Sequence, residues 1–462
     1  MRFVNIQRVM GFLIMVSSLM MLPPALLSLY YHDNAHWHFL LSALVFVALG
    51  LAVYLPVRKQ RRELQLRDGF LVVTCSWLVV VLVGALPFLL MESPQLSFID
   101  AFFESMSGFT TTGATILEDV EALPHSYMFF RMQSQWLGGM GIIVLAVAIL
   151  PMLRIGGMGL FRAETPGPQK DAKLTPRIKE TAKALWLVYV AITVLCIIAY
   201  DWGGMHLFDA VCHAFTTVAT GGFSTHNESL AYFNSLELEV ISMVFMFMAG
   251  INFALHYTAW RTASMTRYFT DTELKTYAFL LFVFSVTAAF ALFLTGTFDS
   301  VATSFRHGVF HVISVMTTTG YTTDPFYAWP SIVPLLLIFV AFIGGCAGST
   351  AGGMKIIRVI LLQRQALREI RLLIHPHAVM PIRFNGQAVT PELMSAVWGF
   401  FVLFIGSFAA LTLLLTATGL DMVTAYSAVV ACIANMGPAL GEAGVNFASL
   451  NDAAKMILSF AM

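Results

Sequence analysis

The sequence predicts an all-α membrane protein: four span–pore-helix–span repeats with pseudo-fourfold symmetry, plus two extra N-terminal transmembrane helices. Three observations predict it. The chain has 462 residues, 58% hydrophobic and 11% charged, which is too apolar for a soluble domain of this length. Four glycine-centred segments recur about every hundred residues. Lysine and arginine collect on one side of the map those repeats define.

The leading pair covers 1–57. Met1 to Tyr31 opens with Arg2 and Arg8 and continues as an apolar run. A cleaved signal peptide competes with a retained span here. The run is long for a signal, contains Pro23-Pro24 and lacks a small-x-small cleavage site, which favours the span. His38 to Pro56 is the second span.

The repeats occupy 69–153, 181–260, 274–375 and 390–462. Each reads as a span, a short half-helix, a glycine loop and a second span. The first has Gly69–Met91, Phe98–Thr112 and Tyr127–Leu153; the second has Thr181–Tyr200, Leu207–Thr220 and Leu236–Trp260. The third has Leu274–Leu294, Ser300–Thr319 and a second span from Ser331 that breaks near Gly345. The fourth has Pro391–Thr416, Met422–Asn435 and a second span from about Leu450. With the leading pair this makes ten spans. The last has about a dozen residues before Met462, where about twenty are needed to cross.

The loops define the register. They are Thr110-Thr111-Thr112-Gly113, Ala219-Thr220-Gly221-Gly222, Thr317-Thr318-Thr319-Gly320 and Asn435-Met436-Gly437, with the last glycines 109, 98 and 117 residues apart. Thirteen residues before each glycine stand Asp100, Asp209, His307 and Thr424. A glycine loop at membrane depth is tolerated only where it is buried in protein or lines water. Four around one axis would line water together.

Of the 26 Lys and Arg residues, 23 fall on one side of this map, the exceptions being Arg131, Arg306 and Lys455. The positive-inside bias puts that side, and the N-terminus, in the cytoplasm. The glycine loops then open outward, on the side carrying most of the acids. Cys75, Cys196, Cys212, Cys346 and Cys432 lack disulfide or metal spacing and read as free buried thiols.

A cation sheds its water only if oxygens of similar number and field replace it, and rings of backbone carbonyls do this. The half-helices aim their partially negative C-terminal ends at the loops, which favours a cation. The expected ligands are the carbonyls of the two residues before each glycine. These are Thr111 and Thr112, Thr220 and Gly221, Thr318 and Thr319, and Asn435 and Met436. Ordinary helix C-caps with glycine are the competing reading, and one T-T-T-G alone would not exclude it. Glu104, His213 and His311 share one register position. Hydrogen bonds behind the loops are expected of them rather than a direct electrostatic role in the pore.

These loops, the repeat unit and the leading pair resemble the Trk/Ktr/HKT potassium transporter superfamily, with the bacterial TrkH branch nearest. The resemblance covers nearly the whole chain. It implies potassium uptake across a bacterial inner membrane, with K+ as the transported ion and no organic cofactor. It also implies a homodimer in membrane lipid, a cytosolic TrkA-like nucleotide-binding regulatory subunit, and no nucleic-acid partner. All four filter glycines, Gly113, Gly222, Gly320 and Gly437, are present. A serine at the first is associated with sodium transport in the plant branch, so Gly113 resembles the potassium-permeable pattern. The resemblance also implies an arginine in the last span near the gate, whereas no arginine follows Arg383.

Residues 344–353 place five glycines in ten positions, where no helix is stable. They resemble the family's intramembrane gate loop, with Gly344, Gly345, Gly348, Ser349, Thr350, Gly352, Gly353 and the following Lys355 as its parts. A nucleotide P-loop would need a lysine where Met354 stands. Lys355 and Arg358 either attach this loop to the cytoplasmic face or the regulatory subunit, or serve as plain positive-inside anchors.

A monovalent cation gains about 2.3 kcal/mol per 100 mV, roughly fifty-fold accumulation, so uptake needs no second ion. A symporter coupling potassium to sodium or protons through the same filter is the alternative. An intramembrane enzyme would need a nucleophile–base pair or a metal cluster. The sequence has no His-Glu-x-x-His, no paired intramembrane aspartates and no Gly-x-Ser-x-Gly.

Overall fold

The structure, a computed structural model, describes residues 3–58, 66–144 and 178–462. The end of the first repeat's second span, 145–153, lies outside the described residues, as do 59–65 and 154–177 of the first two basic loops. The described chain is predominantly helical, with several helices apolar enough for a membrane.

Helices α1 (Phe3–Ser18) and α2 (Leu22–Tyr31) run on through a single 3-10 turn before Pro23-Pro24 and pack against α3 (His36–Tyr54). The α1–α3 crossing is close because it is lined by glycines. A methyl on Gly11 would stand 2.8 Å from the Tyr54 nitrogen, and one on Gly50 would stand 2.9 Å from the Gly11 oxygen. Next come α4 (Leu66–Leu90), the short α5 (Phe98–Phe109) and α6 (His125–Val144). Then follow α7 (Ile178–Trp202), the short α8 (Leu207–Ala219), α9 (Leu236–Ala249) and α10 (Phe253–Thr262). After a single-turn α11 (Thr266–Thr270) come α12 (Thr272–Leu294), the short α13 (Val301–Met316) and α14 (Ile332–Ile343). The chain closes with α15 (Ile356–Ile374), α16 (Pro391–Ala417), the short α17 (Met422–Ile433) and α18 (Asp452–Ala461). A two-residue hairpin, Arg383–Phe384 against Gln387–Ala388, interrupts the all-α pattern. Its turn residues Asn385 and Gly386 both have positive φ.

Among the described residues, six helical stretches pass as spans: Ile6–Tyr31, His36–Val57, Leu71–Leu90, Ala182–Trp202, Thr272–Leu294 and Pro391–Ala417. These are the leading pair and the first span of each repeat. Among the second spans, those of the second and third repeats are interrupted. The Leu236–Trp260 segment bends by 92° between α9 and α10. There Gly250-Ile251-Asn252 interrupts the helix, and the Asn252 side chain caps the next one by accepting from the Ala254 N–H at 2.8 Å. Helix α14 stops at Gly344, whose φ of +72° no β-carbon residue adopts readily.

Burial follows function of position. The short helices sit inside: Ala425 and the run from Ala428 to Cys432 of α17 are fully buried. The long helices face outward with Phe279, Phe282 and Phe290 of α12 and Leu403 and Leu413 of α16 exposed, as lipid-facing helices must be.

Candidate functional site

All four short helices end in the same way. The residue two before each glycine takes the left-handed conformation: Thr111 (φ 60°), Thr220 (52°), Thr318 (56°) and Asn435 (55°). Its N–H bonds three residues back, and the next N–H bonds five back: Thr112 to Ser107 at 2.9 Å, Gly221 to Thr216 at 2.8 Å, Thr319 to Ser314 at 2.8 Å, and Met436 to Ala431 at 2.8 Å. This is the Schellman cap, with Thr or Asn where glycine usually stands. The glycine that follows is left-handed again, at φ 83°, 79°, 83° and 90°. Donors are therefore turned back onto the helix and carbonyls are left over. Among the described residues, no protein donor reaches the carbonyl oxygens of Thr111, Thr112, Thr220, Thr318, Thr319, Asn435 or Met436. Buried carbonyls need a partner.

The loops close into a ring. A methyl on Gly113 would overlap the Gly221 oxygen, one on Gly222 the Thr319 oxygen, and one on Gly320 the Met436 oxygen. One on Gly437 would stand 2.7 Å from the Thr112 oxygen. Loop one thus abuts loop two, two abuts three, three abuts four, and four returns to one. Only a glycine admits the neighbour's carbonyl at each step. The Asn435 side chain reinforces the last step by donating to the Thr110 oxygen at 2.7 Å.

A shell of side chains holds the ring. Glu104 accepts from the Ile116 N–H at 3.0 Å, His213 Nε2 meets the Ser224 hydroxyl at 3.0 Å, and His311 Nε2 meets the Asp324 oxygen at 3.1 Å. These are hydrogen bonds behind the loops. The residues thirteen before each glycine grip the same outgoing limbs: Thr225 donates to Asp209 at 2.7 Å, His307 meets Thr323 at 2.9 Å, and Glu442 N–H donates to Thr424 at 3.0 Å. Asp100 differs. It takes Lys455 of α18 at 2.7 Å. On the exposed limb beyond loop one, Asn227 donates to Asp119 at 2.9 Å, which holds that carboxyl below its ordinary range.

Residues 344–353 lie against the inner ends of three short helices. Thr350 donates to the Val218 oxygen at 3.0 Å, the Gly352 N–H to the Thr318 hydroxyl at 2.6 Å, and the Gly353 N–H to the Ala434 oxygen at 3.1 Å. The segment also fits the α9–α10 break, where Cys346 N–H donates to Gly250 and Phe253 N–H to Gly348. Lys355 (φ 74°) donates its ammonium to the Ala351 oxygen, and the Arg358 guanidinium stacks on Phe400 at 3.7 Å. Glu273, buried at the start of α12, accepts from Ala347 N–H at 2.7 Å and Ile357 N–H at 3.2 Å, one from each limb of the segment.

Residues 35–462 match the family model described as TrkH, cation transport protein. The chain belongs to the TrkH family. It is 47% identical over 457 residues to the Trk system potassium uptake protein TrkH of Halomonas elongata, covering 99% of this chain and 95% of that one. It is 46% identical over 458 residues to the protein of the same name from Escherichia coli K12, with the same coverage. The crystal structure of the potassium transporter TrkH from Vibrio parahaemolyticus superposes with a TM-score of 0.91 at 43% identity, covering 100% of this chain and 96% of that one. The TrkH family is one of transport proteins, so the chain is a transporter and not an enzyme.

Several residues of this TrkH chain escaped the sequence reading. Gln135 donates to the Gly221 oxygen at 2.7 Å and accepts from the Phe223 N–H at 3.1 Å, so α6 clamps loop two. Glu273 and the Gly250–Asn252 break are likewise new. An asparagine within an apolar run was the available signal for the break. The three basic residues that defied the charge map are all paired: Arg131 with Glu104, Arg306 with Glu239 and Lys455 with Asp100, each at 2.7 Å. Their charge is neutralised locally, so they carry no topological information.

Proposed function

We propose that the chain conducts potassium inward across a bacterial inner membrane, through a filter lined by the carbonyls of Thr111, Thr112, Thr220, Gly221, Thr318, Thr319, Asn435 and Met436. The observation that carries the reading is the ring in which each filter glycine receives the next loop's carbonyl. Main-chain oxygens crowded together, with Gly221 alone of the eight taking a side-chain donor among the described residues, Gln135, form a site of partial negative charge, and a dehydrated monovalent cation is the partner that suits it. The names of the relatives support potassium as that cation.

In this reading the repeats 69–153, 181–260, 274–375 and 390–462 surround the filter with pseudo-fourfold symmetry, and 1–57 is an added pair. The 344–353 loop is the gate, held closed by its bonds to Thr318, Val218 and Ala434. The N-terminus and the basic loops face the cytoplasm. The chain works as a homodimer in lipid, with a TrkA-like nucleotide-binding subunit acting on the gate from below; the word "system" in the relatives' names supports a further component.

Ion-replacement flux in liposomes tests this, with the chain alone and with its cytosolic partner. Flux that follows the potassium gradient, excludes sodium and rises with the partner is expected. Equal sodium and potassium flux would overturn the filter. Flux that requires a proton or sodium gradient would replace passive conduction by coupled transport.

A further inference from the structure

We propose that the Glu104–Arg131 ion pair is a selectivity-determining device that fixes the first filter loop against the second. The inference rests on the filter reading above and adds a residue pair to it. Glu104 of α5 and Arg131 of α6 are buried to within 0% and 1% exposure, with Arg131 Nε 2.7 Å from the Glu104 carboxylate. The pair grips the outgoing limb of loop one. Arg131 Nη2 donates to the Thr115 hydroxyl at 3.1 Å, and the carboxylate accepts from the Ile116 N–H at 3.0 Å. The same guanidinium lies 4.2 Å above the ring of Phe223, the residue directly after the loop-two glycine. One charged group thus touches both loops.

Helix α6 carries a second contact one turn on. Gln135, four residues after Arg131, holds loop two through Gly221 and Phe223. Residues four apart share a helix face, so one face of α6 sets the spacing of Gly113 relative to Gly221. That spacing places the loop-two carbonyl against the loop-one glycine.

A buried ion pair is a poor source of stability, because desolvating both charges offsets their attraction. Its distinctive contribution is geometry, since the guanidinium offers a rigid planar fork. At the same register position the other repeats carry no carboxylate. From that position His213 and His311 each send one ring nitrogen to the outgoing limb and the other back to their own helix, and Ala428 has no side-chain hydrogen bond to offer. Loop one is therefore the one whose outgoing limb is bonded to a buried carboxylate–guanidinium pair, and carbonyl spacing is what a filter uses to prefer one cation.

The test is the K+/Na+ flux ratio of the purified full chain in liposomes for Glu104→Gln, Arg131→Gln, the double variant and Gly113→Ser. The pair variants are expected to lower the ratio about fivefold or more while potassium still passes, and the double variant to lower it no further than either single. Should the pair variants fail to assemble, Thr115→Val removes only the shared hydroxyl and is expected to lower the ratio in the same direction. Arg306→Gln breaks another carboxylate–guanidinium pair, part-exposed and outside the loops, and controls for general destabilisation, with its ratio unchanged. If Gly113→Ser lowers the ratio and the pair variants, or Thr115→Val in their place, leave it within twofold, the pair has no such role and the filter stands. If Gly113→Ser leaves it unchanged, the filter reading falls and the pair proposal with it.

Discussion

Replacing Gly222 by alanine separates two effects that the ring combines. Gly222 has φ +79°, and its added methyl would overlap the Thr319 carbonyl oxygen. Gly204, in the turn after α7, has φ +95° and nothing within 4 Å of the same position. Both substitutions incur the left-handed backbone cost, about 1–2 kcal/mol. Only Gly222→Ala must also push a proposed ligand oxygen outward. A tenfold change in ion preference corresponds to about 1.4 kcal/mol. Displacing one carbonyl of a ring supplies that readily, since an ion–dipole contact is lost for the fitting ion and not for a better-hydrated one. The assay pairs thermal unfolding in detergent with K+/Na+ replacement flux in liposomes. Gly204→Ala is expected to lower stability by about 1 kcal/mol with an unchanged flux ratio. Gly222→Ala is expected to lose the ratio by about tenfold or more. If both variants keep the wild-type ratio, the carbonyl of Thr319 does not face the ion.

Further variants probe the supports. Thr318→Val deprives the Gly352 N–H of its acceptor, an orphan costing about 1–3 kcal/mol; basal flux without the cytosolic partner should rise. Glu273→Ala orphans Ala347 and Ile357 on both limbs of the gate segment and should raise basal flux with the K+/Na+ ratio unchanged, as patch or liposome recordings would read. Gln135→Leu removes the clamp on Gly221 and should lower the ratio, measured as for Gly222→Ala. Lys455→Met strands Asp100 at the α5–α18 junction and should cost roughly 3 kcal/mol in chemical unfolding; a loss under about 0.5 kcal/mol would show the pair to be solvated.

The glycine loops were legible because their constraint is local. A left-handed turn after a short apolar helix favours glycine locally, and the four glycines Gly113, Gly222, Gly320 and Gly437, at one period, made the pattern visible. Even loop four, which lacks the threonines, kept its place through Asn435 and Gly437. The five glycines of 344–353 announced irregular backbone in the same way. What the sequence concealed was long-range pairing. Arg131, Arg306 and Lys455 read as lapses in charge segregation because their partners lie 27, 67 and 355 residues away. Gln135 and Glu273 read as ordinary polar residues for the same reason. The α9–α10 bend was hidden because hydropathy averages over a window, and one asparagine hardly lowers it.

Crystals soaked in rubidium or thallium salts would test the central claim most directly, by anomalous scattering. The account predicts a peak at the centre of the ring, within coordination distance of the carbonyl oxygens of Thr112, Gly221, Thr319 and Met436. Peaks confined to the acidic outer loops, with none inside the ring, would contradict it.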